Sequence, residues 1–596
     1  MSQKYHPDKV RNFAIIAHID HGKTTLTDRF LRLTNTVSTR NITERIMDSN
    51  PIEQEKGVTI KLAPVRILYQ DHILNLIDTP GHVDFGYEVS RSLQACEGAI
   101  LLVDATQGIQ AQTLANYEKA KALNLKIVPV INKIDSPQAD LENTTLEMIE
   151  LFELQESDIL HCSAKTGEGV KEILDEVIVK IPPPANNQDD QLKSLIITSK
   201  YDDHQGVVAY TRVFSGTLNK NDDLQLLFSD TSFSPIEIGI FSPQKKAVDQ
   251  LKAGEVGYVA TGLKEINQVR TGDTITHRET RKTAQPLPGY KEPTPMVFME
   301  LYPVDNGRFQ ELKDAMGKLT LHDAALVYAP THSQALGNGL RVGFLGIFHA
   351  EIVRERLDRE FEQELIVTAP SVKYQILKKN DELITIESPA DLPDPSSIKK
   401  ILEPITKTTI FAPVEQLPLI VDFVRRKRGE LIGSVNSGSR SQLNYSIPLS
   451  ELIFGFHDQL KSLSSGFASI EYEITGYREV DAVKVDILVN KEVIEALSFI
   501  SLTNNAESRA KKLVTKLKEV VSRQMFEIPI QAAIGGKIIA RETIRAFRKD
   551  VTAKLYGGDV TRRMKLLKKQ SKGKKRMKQF GKVNLNQEAF LAVLES

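Results

Sequence analysis

One short stretch fixes the kind of fold that can contain it. Ala17-His18-Ile19-Asp20-His21-Gly22-Lys23-Thr24 lies between an apolar run, Asn12–Ala17, and a helical pattern that starts near Thr24. A loop ending in Gly-Lys-Thr is a phosphate cradle, here with Ala where a first Gly is usual. It works only where a strand runs into the loop and a helix leaves it, so that loop N–H groups and the helix N-terminus converge on one point. Further apolar runs, Leu74–Ile77, Ala99–Ala105 and Lys126–Asn132, are each followed by a polar loop. Within the first 180 residues this alternation predicts a mostly parallel α/β sheet, with ligands beyond the C-terminal ends of its strands.

The residue types then divide the chemistry. Asp20, His21, Gly22, Lys23, Thr24 and Thr25 form the candidate phosphate cradle, with Lys23 neutralising phosphate oxygens and the Thr24 hydroxyl a ligand for Mg²⁺. In Asp78-Thr79-Pro80-Gly81-His82, Asp78 ends a strand where a carboxylate can hold the metal through water, and Gly81 offers an N–H to the terminal phosphate. His82 is the candidate to orient the attacking water. Asn132-Lys133-Ile134-Asp135 ends another strand, and Asp135 can accept two hydrogen bonds from guanine N1–H and its exocyclic amine. Adenine lacks that pair, and an unpaired buried group costs about 1–3 kcal/mol, enough to select GTP over ATP. Ser163-Ala164-Lys165 completes the base pocket. In Lys56-Gly57-Val58-Thr59, Thr59 can close on Mg²⁺ and phosphate, which makes Lys23, Thr59 and His82 the catalytic candidates.

Beyond the first unit the pattern changes. Glu168–Lys180 reads as a closing helix, and Pro182-Pro183-Pro184 cannot continue it, so a GTP-binding domain is expected over 1–184. Short alternating runs broken by Gly216, Asn221-Asp222, Gly254 and Gly272-Asp273 predict a β-barrel over 190–285. After a proline-rich linker, helical patterns at Gln310–Leu321 and Phe348–Glu362 mark an α+β module over 293–375. A second proline cluster, Pro389 to Pro395, precedes another such module over 400–482 with a helix at Leu417–Lys427. The last unit, 483–596, carries a basic stretch. The fold class is therefore multidomain α/β: a phosphate-loop GTPase domain, a barrel, two α+β ferredoxin-like modules and a basic C-terminal domain.

Charge sharpens this. The chain has 77 basic and 77 acidic residues, yet residues 562–582 hold eleven Lys or Arg and no Asp or Glu. Arg562, Arg563, Lys565, Lys568, Lys569, Lys574, Lys575, Arg576 and Lys578 are candidate RNA-phosphate contacts, salt-dependent and without sequence readout, because Phe580 alone could stack a base. Cys96 and Cys162 suit buried thiols of a reduced protein better than a disulfide. With no spanning run of about 20 apolar residues and no apolar leader, a cytoplasmic protein is expected.

The stretches AHIDHGKTTL, EKGVTIK, NLIDTPGHVDF, YEVSRSLQACEGA and PVINKID resemble the translational GTPases. Gly343 to Gly346, His349 to Ile352 and Glu403-Pro404-Ile405 resemble the modules shared with elongation factor G. Ala532 to Gly535, Ile538 to Arg541, Tyr556 to Asp559 and Gly573 to Lys578 are similar to the C-terminal domain peculiar to the LepA branch. Gly86 and Val58 depart from the usual Ser and Ile. The resemblance implies a monomeric GTPase that partners the ribosome and its tRNAs, moves tRNAs back by one codon, and makes peripheral contact with the cytoplasmic face of the membrane. A GTP-gated rRNA-binding or ribosome-assembly factor is the alternative.

Overall fold

A computed structural model describes residues 6–37, 62–80, 83–185, 190–265, 268–288, 294–321, 325–333, 336–437, 440–464, 466–524 and 526–547, with 52, 55, 187, 323, 564, 565, 568, 589 and 590. The first unit is a six-stranded sheet of β1 (Val10–Ala17), β2 (Ala63–Tyr69), β3 (His72–Asp78), β4 (Gly98–Asp104), β5 (Lys126–Asn132) and β6 (Leu160–His161), in the order β2-β3-β1-β4-β5-β6. All pairs are parallel except the edge pair β2–β3. β1 has β3 on one side and β4 on the other, so the strand order reverses beside the loop that follows β1. This is where an open α/β sheet presents its ligand crevice.

Helices α1 (Lys23–Leu33), α2 (Gly86–Gln94), α3 (Ala111–Ala122), α4 (Leu141–Phe152) and α5 (Val170–Lys180) cover the sheet. β1 and β4 are buried along their whole length, which is why they read as continuous apolar runs rather than alternating ones. α5 starts at Val170, two residues later than its pattern suggests. Gly169 before it sits at φ +70°, and a Cβ there would lie 2.1 Å from the His161 carbonyl oxygen, so only glycine fits this entry.

Residues Lys193–His277 supply the eight-stranded barrel sheet. It is tied to the first unit by Arg66 to Glu255 at 2.9 Å, by Asn12 Nδ2 donating to the Gly254 carbonyl at 3.1 Å, and by the Arg212–Glu97 pair. The first α+β module has the strand order Val327–Ser333, Gly337–Phe344, Val297–Pro303, Leu365–Val367, with helices Phe309–Thr320 and Ile347–Phe361 between them. The second repeats this plan with Glu430–Ser437, Arg440–Pro448, Ile398–Pro413 and Ser469–Val480. The hairpin Tyr374–Lys378 and Leu383–Ile386 also joins the second sheet, through Gln375–Lys378 against Ile398–Leu402. Its strands thus begin upstream of the proline cluster that reads as the start of that module.

The last unit packs the helix Thr503–Val520 on a sheet containing Ala482–Val489, Ile528–Ile534 and Lys537–Ile544. Ala589 and Phe590, both fully buried, return to this core beyond the basic stretch. Among the described residues no helix is long and apolar enough to cross a membrane.

Candidate nucleotide site

The loop after β1 needs two left-handed residues, Asp20 at φ +62° and Gly22 at φ +95°. At Gly22 the positive φ is joined by a close approach, because a Cβ would lie 2.4 Å from Asn132 Nδ2 and displace it. That close approach has a purpose. Asn132, wholly buried at the end of β5, donates Nδ2–H to the His21 carbonyl at 2.9 Å and accepts the Ala164 N–H on Oδ1 at 2.9 Å. One side chain therefore braces both the phosphate loop and the Ser163-Ala164-Lys165 loop.

α1 begins at Lys23, and its first turn closes with Leu26 N–H on the Gly22 carbonyl at 2.9 Å. Lys23 is 8% exposed, and its Nζ stands 3.5 Å from Asp78 Oδ1 at the end of β3, a long buried ion pair. Among the described residues both Asp78 oxygens are buried with no well-formed hydrogen bond to either. Burial raises the Asp78 carboxyl above its ordinary value, opposed by Lys23. Two bare carboxylate oxygens next to a single cation, with half-buried Thr24 on the adjoining helix turn, are a donor set that fits a hard divalent ion. Thr25 is exposed on the next position.

Asp135 is exposed, and its Oδ1 accepts the Ser163 hydroxyl at 2.6 Å. Ser163 Oγ in turn accepts the Thr166 N–H at 3.0 Å, so the carboxylate is aimed by its own loop. Lys133, at φ +65°, pairs with buried Asp104 at 2.7 Å. Arg29 on α1 donates to the Ala164 carbonyl at 3.1 Å and to the Lys165 carbonyl, fixing the base loop from the other side. Sequence reading passes over Arg29, since nothing near position 29 signals a partner 135 residues away.

His21 takes a different part from its neighbours. Its ring is fully buried, with Nδ1 3.3 Å from the Leu102 carbonyl and edge-on to His18 at 5.3 Å. Burial pulls both imidazoles down to about 3, so they stay neutral. The His21 ring is buried under the loop, and its carbonyl accepts from Asn132. Cys96 and Cys162 are buried and free, and Cys162 Sγ is 3.5 Å from Asn132 Oδ1. Thr59, Gly81, His82, Arg562, Arg563, Lys569, Lys574, Lys575, Arg576 and Lys578 lie outside the described residues, whereas Lys565 and Lys568 are exposed.

The segment after Asp78 docks on the first α+β module. Asp84 Oδ2 accepts the His349 N–H at 3.0 Å, capping the N-terminus of helix Ile347–Phe361, and Phe85 packs against Phe348 and His349. A Cβ on Gly346 would lie 2.1 Å from Asp84. His349 Nδ1 accepts the Leu345 N–H at 3.1 Å and its Nε2 meets Asp323 at 2.9 Å. The second module reaches the same region. Arg440, 8% exposed, donates to the Ile109 carbonyl at 2.7 Å and to the Gln107 carbonyl, and Ser469 Oγ accepts the Ala111 N–H at 2.6 Å.

Four family models match the chain: Elongation factor Tu GTP binding domain over 8–183, Elongation factor Tu domain 2 over 206–276, Elongation factor G C-terminus over 400–488, and GTP-binding protein LepA C-terminus over 489–595. Elongation factor 4 of Levilactobacillus brevis is 49% identical over 599 residues, covering 100% of this chain and 98% of that protein. Elongation factor 4 of Thermus thermophilus is 49% identical over 597 residues, covering 99% and 98%. A solved structure from Thermus thermophilus superposes with a TM-score of 0.56 at 18% identity, covering 79% of this chain and 97% of that one, a likeness of fold.

Proposed function

This chain belongs to the elongation factor 4 family of translational GTPases, and from that premise we propose how its residues divide the work. It is a ribosome-dependent GTPase of translation, hydrolysing GTP to GDP and phosphate. The observation that carries the site assignment is Asn132, which ties the phosphate loop to the base loop through two 2.9 Å bonds.

In the proposed site Lys23 neutralises the β- and γ-phosphate oxygens, and Asp135, aimed by Ser163, accepts guanine N1–H and the exocyclic amine. Thr24, Thr59 and, through water, Asp78 would hold Mg²⁺, which would supply charge neutralisation on the phosphates. Gly81 offers its N–H to the γ-phosphate and His82 orients the attacking water. Arg29 and Arg440 are engaged by backbone carbonyls, so neither serves as an arginine finger, and rapid turnover requires the ribosome to position His82. GTP closes the Thr59 loop and favours a ribosome-binding conformation that hydrolysis releases.

We further propose that this monomeric, cytoplasmic factor moves tRNAs back by one codon, as the family resemblance implies. Arg562 to Lys578 would contact RNA phosphates, and the same basic end would give any peripheral membrane contact its salt sensitivity.

GTP turnover with and without complete ribosomes tests the reading, with ATP, H82A and a Δ562–596 truncation as comparisons. Ribosome stimulation that is confined to GTP, lost in H82A and weakened by truncation is the expected result. Equal slow turnover in every condition would favour a GTP-gated rRNA-binding or assembly factor instead.

A further inference from the structure

A cavity of about 470 Å³ lies where both α+β modules meet the last unit, far in sequence from the nucleotide loops. Its lining is strongly charged, but the charges cancel in pairs. Glu300 meets Arg341 at 3.4 Å, Glu403 and Glu451 meet Arg428 at 2.6 and 2.9 Å, and Glu387 meets Lys373 at 3.2 Å. Apart from Glu495, which is exposed, each lining carboxylate has a cation.

Arg509, on the helix Thr503–Val520, is the exception among the lining cations. Its guanidinium is 4.5 Å from the Phe499 ring centroid and 5.4 Å from that of Phe454, and no hydrogen bond or ion pair engages it among the described residues. Aromatic faces attract a cation but leave its N–H donors unsatisfied. Tyr374 and Glu451 act on this guanidinium through charge alone, so a half-buried fork packed on two rings has N–H donors available to a further acceptor.

Ser501, Asn505 and Gln459 line the same cavity and add hydroxyl and amide donors to it. Neutral donors in the same cavity as a guanidinium suit the several oxygens of a phosphate. The volume exceeds what a bare anion fills and lies in the range of small-molecule sites.

We propose that this cavity binds a small phosphorylated molecule, its phosphate on the Arg509 guanidinium, and that occupancy ties the last unit to both α+β modules. The site is separate from the nucleotide loops and does not depend on the roles assigned to them.

The test uses the full-length protein saturated with GDP and Mg²⁺, with inorganic pyrophosphate as probe and chloride at matched ionic strength as control. Calorimetry should find one pyrophosphate site, weakened about tenfold or more in R509Q, with intrinsic GTP turnover unchanged. In the unaltered protein, pyrophosphate should also protect Arg509 from phenylglyoxal, read by peptide mass spectrometry, which settles the matter if R509Q misfolds. No binding beyond chloride, equal binding by R509Q, or binding that leaves Arg509 open to phenylglyoxal would each overturn the proposal.

Discussion

Asn132 offers the sharpest test of how the nucleotide site is built. N132A removes both braces, leaving the His21 carbonyl and the Ala164 N–H without their 2.9 Å partners in a fully buried place. A buried backbone group left unpaired costs about 1–3 kcal/mol, so the pair is worth about 2–6 kcal/mol. Part of that cost falls on folding and part on ordering the two loops around nucleotide. If only about 2 kcal/mol reaches binding, GDP affinity falls roughly 30-fold. N132D separates the two bonds. Its carboxylate keeps an acceptor for Ala164 N–H but turns the other oxygen toward the His21 carbonyl, so two acceptors meet. Only the protonated acid can donate there, and burial raises the pKa of such a carboxyl. N132D should therefore bind close to normally at low pH and weaken as pH rises through that raised value, while N132A stays weak throughout. Fluorescent GDP titrations from about pH 5.5 to 8.5, spanning the range a buried carboxyl reaches, read this directly. N132A binding within about twofold of the unaltered protein would refute the bracing argument.

Three other outcomes follow from the same geometry. D135N should lose preference for GTP and gain xanthosine triphosphate, whose extra carbonyl accepts where the guanine amine donates, as competition assays would reveal. D84A removes the cap on His349 N–H, worth about 1 kcal/mol; GDP affinity should hold while ribosome-stimulated turnover drops, and an unchanged stimulated rate would count against a role for this contact. Glu471, 3.8 Å from Lys119, has its carboxyl raised to about 7 by burial, with Asp84 and Glu473 adding to the rise against Lys119. Its folded value lies above its unfolded one, so the stability it contributes is full below about pH 4.5 and is lost as pH rises through about 7. Thermal melts should show this slope in the unaltered protein and not in E471Q.

What the sequence discloses here is local. The strands β1, β3, β4 and β5 announce themselves because burial forces continuous apolar runs, and Gly22-Lys23-Thr24, Asp78 and Asp135 stand out because each follows or ends one of those runs. The basic stretch is legible as charge alone. The hairpin Tyr374–Ile386 escaped because Pro389 and Pro395 look like a boundary, whereas the prolines only form short turns at Pro389–Asp391 and Pro395–Ser397 before the main strand. His21 reads as a phosphate contact by position, yet its ring is drawn inward by the Leu102 carbonyl. Arg29 and Arg440 are invisible for a simpler reason: their acceptors are backbone carbonyls, which carry no residue type to match.

That same blindness bears on how nucleotide state leaves the first unit. Asp84 stands only six residues after Asp78 in the chain, so a movement at the site can be passed to it. The cap to His349 tolerates no drift, since Asp84 approaches within 2.1 Å of the place where a Cβ on Gly346 would stand. A shift of about 1 Å along that segment would stretch a 3.0 Å bond past hydrogen-bonding range. Arg440 and Ser469 hold the second module to Gln107, Ile109 and Ala111 at the start of α3. A change at the γ-phosphate that moves the segment after Asp78 should therefore loosen the Asp84 cap and the Phe85 packing on helix Ile347–Phe361 before it disturbs the contacts of Arg440 and Ser469, so the first α+β module should respond more than the second.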